Sequence, residues 1–192
     1  MKIAFVGATG NIGKEIAKQA LQRQHQITAL TRRAELPAEL VGAQSVIADI
    51  LDVAALSTVV RGHDVLISAY GPALNASETS SQVMSALIAA ARNAGIKRLM
   101  VVGGAGSLFV APDLQLVDTP NFPEAYKAVA LAHRDALAIL RNATDLDWTF
   151  FAPAAMIGPG ERKGHFRIGT DSLITDNEGN SRISYADYAT AF

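Results

Sequence analysis

A run of glycines near the start of the chain is the first place where residue types and spacing point to chemistry. Gly7-Ala8-Thr9-Gly10-Asn11-Ile12-Gly13 separates an apolar segment, Lys2-Ile3-Ala4-Phe5-Val6, from a helix-forming stretch that runs from Lys14 to Gln22. A strand, a glycine turn and a helix start are what a pyrophosphate site needs. Gly7 allows the tight turn, and missing side chains at Gly7 and Gly10 let backbone N–H groups approach phosphate oxygens. Gly13 lets the helix lie close to the strand, its positive dipole end toward the anion. Thr9, Asn11 and Ile12 complete the cradle. Glycines gather in any sharp turn, so the pattern alone is weak; its position between strand and helix carries the reading. A dinucleotide is the expected ligand.

Arg32 and Arg33 follow the next apolar segment, Gln26-Ile27-Thr28-Ala29-Leu30-Thr31. Folds selective for NAD usually place an Asp or Glu at this strand end, where it takes the ribose hydroxyls. Here the nearest acid is Glu35. Two guanidinium forks instead suit a 2′-phosphate, which they grip bidentately. A solvated surface pair is the plain alternative. Their position after the glycine loop favours NADP(H) over NAD.

The elements that must position these residues alternate between short apolar runs and helical patterns, which implies βαβ units and a parallel sheet. Strands are predicted near 2–6, 26–31, 44–48, 64–69, 97–102 and 147–151, and helices near 11–23, 53–60, 78–94 and 124–141. Asp52 is placed to cap the second helix and Asn93-Ala94-Gly95 to stop the third. Right-handed crossovers then give the doubly wound order 3-2-1-4-5-6 of a Rossmann fold, a single α/β domain over 1–192. Two irregular stretches interrupt it. Residues 107–123 carry Pro112, Pro120 and Pro123 and are expected to fold as a loop beside the site. Residues 153–180, rich in glycine, are expected to form a small substrate-side lid.

Composition narrows the class. The 192 residues are 49% hydrophobic and 18% charged, which suits a well-buried α/β protein. Seventeen basic and eighteen acidic residues leave a formal charge of −1, no footprint for nucleic acid or an anionic membrane. The absence of cysteine removes thiol catalysis and Cys-ligated metal. The chain enters a core strand at once and leaves no room for a cleavable signal peptide, so a cytoplasmic enzyme is expected.

The glycine spacing with Ala8-Thr9 inside it, Asp49 after the third strand, Ser68-Ala69 closing the fourth, Val101-Val102-Gly103-Gly104 closing the fifth and Phe151-Ala152-Pro153 after the sixth carry a resemblance. Together they resemble the short-chain dehydrogenase/reductase superfamily in its extended and atypical branches, over nearly the whole chain. The nearest resemblance is to compact NmrA-like proteins and to biliverdin and flavin reductases. It implies that Asp49, with the Ile50 backbone, meets the adenine edge, although Asp49 could equally cap the following helix with Asp52. It implies that Ser68, Ala69 and Tyr70 lie along the adenine-ribose and pyrophosphate. Gly103 is then placed against the nicotinamide ribose, and the backbone at Pro153 holds the carboxamide. Relatives usually continue the helix that begins at Ser184-Tyr185-Ala186-Asp187 and add a last strand, so a chain cut short after Phe192 is one expectation.

Two positions depart from the superfamily pattern. Many members hold a catalytic serine after the fifth strand; here Gly103 and Gly104 come first and serine only at Ser107, a candidate for orienting substrate or a loop serine closing a turn. Many also use Tyr-x-x-x-Lys, in which the lysine one helical turn on lowers the phenol pKa. This chain reads Tyr126-Lys127-Ala128-Val129-Ala130, with Ala130 where that lysine would stand and Lys127 about a hundred degrees round the helix. Tyr126 is thus a catalytic candidate without its usual activation. The histidines, His25, His63, His133 and His165, form no metal-ligand pattern; His133 shares roughly a face with Tyr126.

These features predict an NADPH-dependent reductase in which cofactor and orientation do most of the work. Reducing a ketone requires a proton for the emerging alkoxide, whereas flavins, quinones and similar conjugated acceptors delocalise the incoming charge. A site without the Tyr-Lys pair therefore suits such a small-molecule acceptor. A non-catalytic NADP-binding redox sensor is the second reading and a sugar-nucleotide epimerase or dehydratase the third. No nucleic-acid or membrane partner is expected, and the protein is expected to be a monomer or small homo-oligomer.

Overall fold

The computed structural model describes residues 1–32, 35–72 and 79–192. In chain order the elements are β1 (Lys2–Val6), α1 (Asn11–Gln22), β2 (Gln26–Thr31), β3 (Gln44–Ile47), α2 (Val53–Val60), β4 (Val65–Ser68), α3 (Thr79–Ala94), β5 (Arg98–Val102), β6 (Phe109–Ala111), β7 (Leu114–Gln115), α4 (Glu124–Arg141), β8 (Asp147–Phe151), β9 (Met156–Gly158), β10 (Arg182–Ser184) and α5 (Tyr185–Ala191). The six long strands form one parallel sheet in the order β3-β2-β1-β4-β5-β8. This is the doubly wound topology that the sequence predicts, and the order reverses between β1 and β4.

Strand pleating divides the core between the two faces of the sheet. Along β1, Ile3 and Phe5 point to one side and join Ile16 and Ala17 of α1 and Tyr188 of α5. Ala4 and Val6 point to the other, where Leu56 and Val60 of α2, Val83 and Leu87 of α3 and Leu140 of α4 cover them. Gly13, Ile16, Ala17 and Ala20 form the buried stripe of α1, the spacing of one helix face.

Local signals end the elements as expected. The Asp52 side chain accepts from the Ala55 N–H at 3.0 Å and caps α2. At the end of α3, Gly95 has φ +77°; its N–H bonds the Arg92 carbonyl and that of Ile96 the Ala91 carbonyl, a Schellman closure.

The two irregular stretches hold short strands that periodicity did not reveal. β6 and β7 make an antiparallel pair within 107–123, and β9 pairs in parallel with β10. The stretches also join one another. Phe109 donates to the Asp171 carbonyl at 2.8 Å, and its own carbonyl accepts from Leu173 at 2.9 Å. Among the described residues no helix is long and apolar enough to cross a membrane.

Candidate functional site

The topology brings the sequence-predicted residues to one edge of the sheet. The Gly7 turn follows β1, Arg32 follows β2, Asp49 lies beyond β3, Ser68 ends β4 with Ala69 and Tyr70 after it, Gly103 follows β5 and Pro153 follows β8. All stand at the carboxyl ends of parallel strands, and the Gly7 turn lies at the reversal of strand order, where α/β sheets open a crevice for ligands.

The three glycines of the turn have different physical reasons. Gly7 has φ +82°, and a β-carbon there would come 2.6 Å from the Ala69 carbonyl oxygen. It allows both the turn and the close approach of the β1 and β4 loops. A β-carbon on Gly13 would lie 2.0 Å from the Gly7 carbonyl oxygen, so this glycine lets α1 seat against the turn. At Gly10 the nearest atom would be that same oxygen at 3.4 Å, an ordinary contact. Gly10 is therefore the glycine whose missing side chain the protein does not fill. It sits at the N-cap of α1 with no side-chain cap, and the first-turn N–H groups of Asn11, Ile12 and Gly13 have no helical carbonyl behind them. Free amides, an open cradle and a helix dipole fit a pyrophosphate.

Arg32 is exposed directly after β2 and forms no ion pair with any described residue; Arg33 lies outside the described residues. Asp49 is exposed, and one of its carboxylate oxygens accepts from the Leu51 N–H at 2.9 Å, leaving the other open. The helix cap is Asp52 alone, not the Asp49–Asp52 pair of the alternative reading. Ile50 is half-buried against the core. Ser68 is buried, its Oγ accepting from the Tyr70 N–H at 3.3 Å, and the Tyr70 hydroxyl meets Thr79 Oγ1 at 2.7 Å.

The second glycine loop has a reason within the protein itself. Side chains on Gly103, Gly104 and Gly106 would strike the Phe150 ring, His133 and Ala130 respectively. Its glycines let β8 and α4 press against the loop. Ser107 is buried and its hydroxyl donates to the Gly104 carbonyl at 3.0 Å, the bonding of a turn serine. Tyr126 stands in the first turn of α4 and is 63% exposed. Ala130, one turn on, is buried against Gly106. His133, further along α4, is half-buried, and burial holds its imidazole below the ordinary histidine range.

Beyond β8 an open groove of about 810 Å3 runs along the 153–191 segment, lined by Phe151, Pro153, Met156, Phe166, Ile168 and Arg182 among others. Pro153 is the one residue of the expected cofactor set on its wall. One supporting interaction escaped the sequence reading. Asp187 of α5 is buried and accepts from the N–H groups of Lys163 at 3.1 Å and Gly164 at 2.8 Å and from the Ser184 hydroxyl. Burial works to raise this carboxyl, and those hydrogen bonds, with the charge of Arg162, outweigh it and hold the group below the aspartate range. The capping pair Ser184-Asp187 signalled a helix start but not the partner segment. Tyr188 is equally unforeseen: wholly buried, it donates to the Phe151 carbonyl, and its ring packs tilted against that of Phe151 with centroids 5.4 Å apart.

Comparison with known proteins agrees with this geometry. A family model described as NAD(P)H-binding matches residues 7–192. A Burkholderia pseudomallei structure, provisionally named an exported protein, is 54% identical with a TM-score of 0.93, over 100% of this chain and 91% of that one. A Streptococcus pneumoniae structure, provisionally named an NADH-flavin reductase, is 34% identical with a TM-score of 0.89, over 100% and 90%. One from Bacteroides thetaiotaomicron, provisionally named an epimerase, is 37% identical with a TM-score of 0.89, over 99% and 88%. With a glycine turn and an open helix end at the sheet reversal and a family match from Gly7 to Phe192, the chain belongs to the NAD(P)H-binding family of Rossmann-fold proteins.

Proposed function

We propose that this protein is an NADPH-dependent reductase whose acceptor is a flavin, a quinone or a similar conjugated small molecule. The observation that carries this reading is Ala130, packed against Gly106 at the position where ketone-reducing relatives need a lysine. Exposed Tyr126 therefore has no cation one turn along its helix face. When bound, the cofactor supplies a hydride. The Asn11, Ile12 and Gly13 amides hold its pyrophosphate, Arg32 and Arg33 its 2′-phosphate, and Asp49 with Ile50 its adenine. Ser68, Ala69 and Tyr70 floor the middle, and Gly103 and Pro153 bound the nicotinamide end. The 153–180 segment acts as the lid, keeping water from the acceptor, which sits in the groove beside Phe151. Tyr126 orients the acceptor through its ring or hydroxyl, while Ser107 closes its own turn.

The name of the Streptococcus relative supports a flavin acceptor. The name of the Bacteroides relative supports an epimerase, but sugar-nucleotide epimerases rely on the lysine that Ala130 replaces. A cytoplasmic location follows from the need for a supply of reduced cofactor, and the name of the Burkholderia relative points the other way.

An acceptor screen tests the reading. NADPH oxidation is expected with free flavin or a quinone, and little with simple aldehydes or ketones. Robust ketone reduction without flavin activity overturns it. NADPH binding with no acceptor-dependent turnover identifies a redox sensor instead.

A further inference from the structure

Beneath the carboxyl ends of β4 and β5, on the face covered by α3 and α4, lies a partly open cavity of about 20 Å3. Val83, Met84, Leu87 and Phe150 give it mostly apolar walls, yet Ser68, Ser80 and His133 also reach it. Ser80 is 5% exposed, and among the described residues its Oγ is the buried side-chain polar atom with no hydrogen-bond partner. Early in a helix a serine normally caps, bonds back to a carbonyl or turns to solvent; this one faces inward. Its neighbour across the cavity is a half-buried histidine, kept neutral by burial and so offering one N–H donor and one bare nitrogen.

Size and lining select the occupant. An enclosed water needs roughly 10–15 Å3 of such space and two or more polar partners, while purely apolar cavities stay dry. This space admits one water and nothing larger, and its walls offer hydroxyl and imidazole groups. Buried polar groups are almost always paired, with protein or with ordered water. We propose that the cavity is a site for one buried water molecule, bridging the Ser80 hydroxyl and the His133 imidazole and tying the first turn of α3 to the middle of α4.

The tie makes Ser80 and His133 positioning residues for two loops at the sheet edge. The β-carbon of His133 lies where a side chain on Gly104 would come within 3.0 Å, so it sets the height of the β5 loop. Thr79, adjacent to Ser80, holds the Tyr70 hydroxyl of the β4 loop. The bridge thus fixes α3 and α4 where those loops rest on them, whatever acceptor the protein uses.

A high-resolution crystal structure and nitrogen-15 NMR of the whole protein test this. The expected result is one ordered water within hydrogen-bonding distance of Ser80 Oγ and a His133 ring nitrogen, with a water-to-ring cross-peak on the His133 protons. Ser80→Val puts carbon in that space and should abolish both signals while shifting the His133 ring nitrogen resonances. Should that variant not fold, Ser80→Ala removes one anchor and should weaken the cross-peak several-fold. An empty cavity in a map that shows other buried waters overturns the proposal. So does a cross-peak that survives unchanged in either variant.

Discussion

Gly106 and Ala130 approach so closely that a β-carbon on Gly106 would lie 2.8 Å from that of Ala130. The contact seats α4 on the turn after β5, and it leaves no space for a long side chain at either position. A lysine at 130 would have to displace the loop or leave the helix face. The departure from Tyr-x-x-x-Lys is therefore part of how this protein packs. Gly106→Ala overpacks the contact and should cost roughly 1–3 kcal/mol. Ala130→Lys should destabilise at least as much and should not confer ketone reduction. Urea denaturation and an acceptor assay check the two halves.

The glycines of the first turn should separate binding from folding. Gly10→Val places carbon where only an ordinary contact awaits it, so the variant should fold, with a loss of about 1 kcal/mol at the helix cap, and lose cofactor binding. Gly13→Ala drives a β-carbon into the Gly7 carbonyl and should fail in stability first. Thermal melts with and without NADPH distinguish the outcomes: Gly10→Val should melt within about 2–4 °C of the parent but lose the ligand-induced rise.

Removing the Arg32 side chain should tell on one cofactor only. A charge-assisted hydrogen bond is worth roughly 1.5–3 kcal/mol, so Arg32→Ala should weaken NADPH about ten- to a hundredfold and leave NADH almost unchanged. Titration of each cofactor into parent and variant measures this. Equal affinities in the parent protein would count against a 2′-phosphate site.

Tyr126 should orient rather than protonate. General acid catalysis supplies about 10²–10⁴-fold, whereas a lost orienting hydrogen bond costs about tenfold. Tyr126→Phe should keep most of kcat with a flavin acceptor. A folded variant with normal NADPH binding and a thousandfold loss would identify the phenol as the acid.

Asp187 links the 153–180 segment to α5. Its carboxyl is held below the unfolded value, so its contribution is present above about pH 3.9 and fades as pH falls through the folded value. Asp187→Ala leaves the Lys163 and Gly164 amides without an acceptor and should cost roughly 1–3 kcal/mol at neutral pH. The gap between parent and variant should narrow in acid. Urea denaturation at pH 7 and pH 3 gives the comparison, and amide exchange at Gly164 shows whether the segment itself is released.

The sequence by itself determined the sheet. Alternating apolar runs, the glycine turn after β1, the Asp52 cap and the Gly95 stop are local signals, and each element formed within a residue or two of its predicted bounds. The doubly wound order followed because right-handed crossovers leave little choice once strands and helices alternate. The cradle at Gly7, Gly10 and Gly13 was legible for the same reason: a turn, an open helix end and a close helix seat are properties of adjacent residues.

Tertiary structure alone decided what lies between distant segments. The glycines at 103, 104 and 106 have a packing reason that the sequence does not show: Phe150, His133 and Ala130 occupy the space their side chains would need. Ser107 could orient substrate or close a turn, and only the position of the Gly104 carbonyl favoured the turn. The pairing of Phe109 with residues 171–173 and the hold of Asp187 on residues 163–164 join segments with no mutual periodicity. Tyr188 is a core residue whose hydroxyl finds the Phe151 carbonyl 37 positions away. Local propensity encodes the first kind of information; the second exists only when the chain is folded and volume must be shared.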